Sequence, residues 1–206
     1  MHYFLTVYYL YSRDFSKSST SQLYKENTMR LILAILLIAT FSFGKTYKDQ
    51  LNGLNEFQRE TLVSSLRAGK MFKNKEHGII LAAIAWKESN LGMRKINDKD
   101  GKHGSWGAHQ ILLDSALKRL KDLEKVVGKN NIARLLYYSD TFSAAMATKE
   151  LTYWSKVHKG DLEKTLASYN AGWKSTESSR GLKYAKDIQY RAKLIAEYIE
   201  ANNIAV

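Results

Sequence analysis

Apolar residues recur every three or four positions along most of the chain after residue 45, the spacing of helices with one buried face rather than of strands. Leu54, Phe57, Leu62, Leu66 and Phe72 predict a first amphipathic helix, and the polar turn Lys73 to Lys75 separates it from a second. That second helix begins near Glu76 and carries Ile79, Ile80, Ala83, Ile84 and Trp86 on its apolar face. Asp114 or Ser115 is placed to cap a third, with Leu117, Leu120, Leu123 and Val127 inward and Gly128 ending it. Ile132, Leu135 and Leu136 start another short helix. A long one is expected over Thr141 to Val157, where Ala144, Ala145 and Ala147 permit close packing on a neighbour. Asp161 caps a helix through Leu162, Leu166 and Tyr169 that Gly172 stops, and Tyr184, Ile188, Ile195 and Ile199 mark the last. No segment alternates as a strand should. The expected fold is all-α, with at most a small hairpin between Asn97 and Ser105.

Upstream the pattern changes. Arg30 precedes an almost unbroken apolar run, Leu31 to Phe43, and Ser42 and Gly44 supply small residues just before Lys45. This is the pattern of a secretory signal peptide over 29–44, too short to cross a bilayer comfortably as a helix. Met29 reads as the start of the protein proper. Residues 1–28, rich in Tyr and Ser and without a period, read as an upstream extension of the reading frame. Residues 45–206 then make one domain, long enough for its own core and expected to be a periplasmic monomer.

The chain has no Cys and no Pro, so disulfides and thiolate metal sites are excluded. Its net charge is +12, of which +10 remains after Gly44. A basic exported chain meets anionic partners. The lysines are scattered over polar helix faces rather than gathered into an arm, which argues for solvation and against nucleic-acid binding. His77, His103, His109 and His158 show no metal-ligand spacing, and the stretch Asn97 to Gly101 lacks the distal Glu of a calcium loop.

One carboxylate stands out. Glu88 lies four residues after Ile84 and eight after Ile80, so it projects from the apolar face near the helix end. Partial desolvation and the negative end of the helix dipole both raise a carboxyl pKa there. A Glu kept protonated near neutrality can hand a proton to a leaving group, as glycosidic cleavage requires. The plainer alternative is a salt bridge from Glu88 to a lysine at the helix end. After a polar loop comes Gly104-Ser105-Trp106-Gly107-Ala108-His109-Gln110-Ile111, a glycine-bounded turn that carries a glutamine. Trp106 fits either core packing or stacking on a sugar face. His109, beside Gln110, is the one imidazole whose titration would make binding at that turn pH-dependent.

Three pieces stand in order: Glu88-Ser89, the turn Gly104 to Ile111, and Ala167-Ser168-Tyr169-Asn170-Ala171-Gly172 followed by Tyr184 with Ile188. Together they resemble the soluble lytic transglycosylase (SLT) domain family, which has a lysozyme-like fold shared with goose-type lysozyme. The resemblance covers about Glu56 to Tyr198. It implies cleavage of the β-1,4 bond between N-acetylmuramic acid and N-acetylglucosamine of peptidoglycan without water, leaving 1,6-anhydromuramic ends. In that reading Glu88 is the single acid and then base. Ser89 holds a substrate group or orients Glu88, and Gln110 bonds the sugar near its acetamido group. Tyr169 and Asn170 line the site, and Tyr184 adds a second phenol above the acid. The resemblance implies no metal and no organic cofactor, with peptidoglycan strands as partner and an envelope-spanning machine as a further one.

Two other readings stay open. Hydrolysis needs a second carboxylate, for which the loop residues Asp98 and Asp100 are candidates, making the protein a muramidase. A non-catalytic wall-binding subunit of a secretion, conjugation or flagellar machine is the other. The chain also departs from the family: His109 stands where a Met is common, and Leu91-Gly92 replaces the Asn-Pro that often follows Glu-Ser.

Overall fold

Six consecutive residues of one helix, Leu81 to Trp86, are buried to 2 % exposure or less, and the fold is built around them. A computed structural model describes residues 46–71, 75–97, 104–120, 125–174 and 179–204, which belong to one compact unit, Thr46–Val206. The expectations for residues 1–28 and 29–44 lie outside the described residues, as do Phe72, Asp98, Asp100, His103 and Leu123.

In chain order the elements are α1 Tyr47–Asn52, α2 Glu56–Met71, α3 Lys75–Ser89, β1 Ile96–Asn97, β2 Ser105–Trp106, β3 Ile111–Leu112 and α4 Leu113–Arg119. They continue with α5 Lys129–Tyr138, α6 Asp140–Val157, α7 Leu162–Ala171, a 3-10 turn Gly172–Lys174 and α8 Ser179–Ala201. The protein is all-α with one small antiparallel sheet of strand order β1-β2-β3, as expected, in which Trp106 pairs with both Ile96 and Ile111. The third strand has only two residues, too few to show alternation in the sequence.

Helix α3 packs against α2, α8 and α6. Its middle, Ile79 to Trp86, is apolar on every side rather than amphipathic, so that stretch takes the centre. The α2–α3 crossing is tightened by two glycines. A Cβ on Gly69 would lie 2.1 Å from the Gly78 nitrogen, and one on Gly78 would lie 2.6 Å from the Leu66 carbonyl. Phe57, which its spacing placed inward, is 74 % exposed. The inner face of α2 runs instead through Gln58, Thr61, Leu62, Ser65 and Leu66. Its polar members escape a hydrophobicity pattern because they are buried by hydrogen bonds, Gln58 donating to the Asn90 carbonyl and Ser65 to that of Thr61.

Asp161 accepts from the Lys164 amide as the N-cap of α7, and Gly172 ends that helix with φ +65°. Ser139 caps α6 by accepting from the Phe142 amide. The expected cap at Asp114 or Ser115 is not used. Helix α4 starts at Leu113, straight out of β3, and no side chain caps it.

Candidate active site

Helix α3 stops one residue beyond Glu88. The next three residues, Asn90, Leu91 and Gly92, all have positive φ, at 56°, 55° and 82°. The chain folds back so tightly that the Leu91 amide bonds to the Ala85 carbonyl, 3.0 Å away and six residues earlier. A left-handed leucine costs about 1–2 kcal/mol. Full burial of that side chain in the core offsets it, at about 1.5–3 kcal/mol for a side chain of this size. Gly92 has no room for a side chain, since a Cβ would lie 2.7 Å from Thr61 Oγ1. The result fixes Glu88 in the last turn of the central helix.

The Glu88 side chain is half-buried. Burial raises its pKa above the ordinary carboxylate value, and the Tyr184 hydroxyl and the Lys87 charge only partly oppose that. Tyr184, on α8, is buried and its hydroxyl has no fully aligned hydrogen-bond partner. It comes close enough to Glu88 to stabilise the carboxylate, without the alignment of a complete hydrogen bond. Tyr169, on α7, donates to the His109 carbonyl at 2.8 Å. Both phenol pKa values are pushed well up, first by burial and then by the charge of Glu88, so both hydroxyls keep their protons. Glu88, Tyr169 and Tyr184 therefore share one neighbourhood, and Asn170 follows half-buried at the end of α7.

The glutamine turn is the opposite support. Gln110 has φ +50°, and its Nε2 donates to the carbonyls of Gly107 at 2.9 Å and Arg94 at 3.2 Å. Its Oε1 is buried without a partner, an acceptor in need of a donor. Gly107 allows the turn to lie against α5 and α6. At φ +80°, a Cβ there would lie 2.3 Å from the Leu136 carbonyl and 2.6 Å from Ser143 Oγ.

The structure turns Ser89 and His109 inward and leaves Trp106 at the edge of the core. Ser89 is fully buried, its hydroxyl lying 2.7 Å from the Ala108 carbonyl and 3.0 Å from that of Ala85 while accepting from the Gly92 amide. It braces the glutamine turn against α3 and has no surface for a sugar. His109 is also fully buried. Its Nε2 is 3.1 Å from Ser65 Oγ and its Nδ1 is 3.1 Å from Ser143 Oγ, bridging α2 and α6. The positive φ of Gly107 and Gln110 turns it inward, and burial lowers its pKa to about 4. Trp106 is half-buried and packs on the core from β2.

Two carboxylates near these groups were not legible in the sequence. Asp187 lies one turn beyond Tyr184 on α8 and bonds Lys87 at 2.5 Å and Arg191 at 3.3 Å. Burial pushes its pKa up, but the Lys87 and Arg191 contacts outweigh that and hold it low. The three-residue spacing from Tyr184 was the available signal. Glu150, on α6, accepts from Arg119 Nε at 2.9 Å, and its charge reaches the Tyr169 hydroxyl. Nothing in its sequence neighbourhood marks it. Among the described residues no group of three or more His, Asp or Glu side chains is placed to hold a metal ion.

No family model matches the chain, and no solved structure matches it. Over 118 residues it is 36 % identical to a protein of Enterobacteria phage T4 described as an uncharacterized 20.7 kDa protein in the vs-regB intergenic region. The match spans 57 % of this chain and 62 % of that relative, less than two thirds of its length.

Proposed function

We propose that the protein is a lytic transglycosylase that cleaves the β-1,4 bond between N-acetylmuramic acid and N-acetylglucosamine of peptidoglycan, working in the periplasm after export. One observation carries the reading. Glu88, its pKa raised by burial, stands among two protonated phenols, next to a glutamine turn whose main chain Ser89 and Tyr169 hold. A carboxyl whose pKa is raised in this way is suited to act as a general acid.

In the first step Glu88 gives its proton to the glycosidic oxygen as the C1–O bond breaks. The Glu88 carboxylate then takes the proton of the muramyl 6-hydroxyl as O6 bonds to C1. No water is consumed, and Glu88 ends protonated as it began. Tyr184 steadies the carboxylate between the two steps. Gln110 bonds the sugar near its acetamido group, and Tyr169 keeps the glutamine turn in place through the His109 carbonyl. Hydrolysis would need a second carboxylate at work. Among the described residues the carboxylates brought near, Glu150 and Asp187, are each ion-paired, which favours the internal attack.

Mass analysis of the soluble products from purified peptidoglycan, for the protein and for Glu88→Gln, tests this. Ends of 1,6-anhydromuramic acid that vanish in Glu88→Gln are expected. Reducing muramic ends would replace the reading with a muramidase, and wall binding without products would replace it with a binding subunit.

A further inference from the structure

Beyond Tyr169 the chain builds a second surface that the proposed chemistry does not use. Trp173, in the turn after α7, is 68 % exposed. It is not loose. Its ring stands edge-on to Trp154 at 5.0 Å and 73°, and to Tyr153 at 6.4 Å and 88°. Trp154 is itself buried and stacked on His158 at 6.1 Å. Trp173 is thus held upright on an aromatic base, with much of its surface left to solvent.

Polar groups border this aromatic base. The Arg119 guanidinium lies 3.8 Å above the Tyr153 ring and bonds Glu150 at 2.9 Å. The charge of Glu150 reaches the Tyr169 hydroxyl, which is bonded to the glutamine turn. Contacts therefore run from Glu150 through Arg119 and Tyr153 to Trp173, which stands four residues beyond Tyr169 in the turn that ends α7.

A ring held for stacking beside a fixed guanidinium–carboxylate pair suits one ligand chemistry. A β-linked N-acetylhexosamine has a face of axial C–H groups to lie on an indole, and hydroxyl and acetamido groups at its rim to bond Arg119 and Glu150. We infer that Trp173, with Arg119 and Glu150, is a saccharide platform that holds a glycan strand one or more sugars away from the bond being cut. This rests on the glycan-cleaving reading of Glu88, which it extends to the length of strand the protein grips.

Binding of β-1,4-linked N-acetylglucosamine oligomers tests it without requiring turnover. Calorimetry with the hexamer and the dimer is measured on the protein, on Trp173→Ala and on Trp173→Phe, with thermal melts to show that each is folded. The expected result is a roughly tenfold loss of hexamer affinity in Trp173→Ala, little change for the dimer, and recovery in Trp173→Phe. The hexamer also shifts the tryptophan emission of the parent, and Trp173→Phe abolishes that shift. Hexamer affinity equal to the parent's in a folded Trp173→Ala overturns the platform, as does failure of the parent to bind the hexamer. Failure of the catalytic reading looks different: hexamer binding depends on Trp173, yet peptidoglycan yields no products that depend on Glu88.

Discussion

The Tyr184 hydroxyl faces the Glu88 carboxyl from α8 and is the strongest single influence opposing the rise in its pKa. Removing it lets burial act with less opposition, so in Tyr184→Phe the pKa of Glu88 climbs further. In a pH–rate profile the alkaline limb, where the acid loses its proton, moves to higher pH. The rate at the optimum falls about tenfold, less than the worth of a fully aligned hydrogen bond to a charged group. Stability changes little, because the hydroxyl is buried without a fully aligned partner.

Glu88→Gln separates catalysis from folding. Activity drops by about a thousandfold, within the range for a lost general acid. Stability moves the other way. The folded-state pKa of Glu88 lies above its unfolded value, so as pH rises through the unfolded pKa the unfolded chain releases its proton first and the folded state loses ground. Thermal melts should show Glu88→Gln above the parent at pH 7, the gap closing as pH falls to about 4, below the unfolded value. A parent more stable than the variant at neutral pH would contradict the buried acid.

His109 titrates with the opposite sign. Its folded pKa is lowered to about 4, so below its ordinary value of about 6.5 the unfolded chain gains a proton that the folded one refuses. The two serine hydroxyls facing it are neutral, while Asp140 favours its charged form and Lys95 opposes it. Stability is fully present above about pH 6.5 and declines toward pH 4, by about 3 kcal/mol in all. His109→Gln, which keeps polar atoms for Ser65 and Ser143, removes most of that slope in urea titrations taken at successive pH values.

Gly107 and Gly160 both have positive φ, at 80° and 86°, but only one is crowded. Nothing lies within 4 Å of a Cβ at Gly160, whereas Gly107 has backbone at 2.3 Å. Gly160→Ala should cost only the backbone strain, about 1–2 kcal/mol. Gly107→Ala must also push the glutamine turn off α5, for a loss of about 4 kcal/mol or more together with activity. Denaturant midpoints of the two variants, measured side by side, decide it.

Most of the fold could be read from periodicity, because helices such as α6 and α8 announce themselves through apolar spacing and through caps such as Asp161 and Gly172. Glu88 was legible for the same reason: a carboxylate in register with Ile80 and Ile84 is out of place unless it has work. What surrounds it was not. Ser89 and His109 resemble site residues in the sequence, yet both spend their polar atoms inside the protein, a choice made by the positive φ angles of the two turns. Spacing carries no record of such angles outside glycine. Glu150 and Arg119 are 31 positions apart in the chain, and only the packing of α6 brings them together.

The glutamine turn is gripped largely by its main chain. Ser89 holds the Ala108 carbonyl, Tyr169 holds that of His109, and the Gly107 amide bonds the Lys95 carbonyl at 2.8 Å. Such a grip depends on how many residues the turn has. Single replacements at Ala108 that stay small leave the aim of Gln110 intact. One residue inserted or deleted between Gly107 and Gln110 puts the Ala108 and His109 carbonyls out of step with Ser89 and Tyr169, so the length of this segment is fixed even where Ala108 can be exchanged for another small residue.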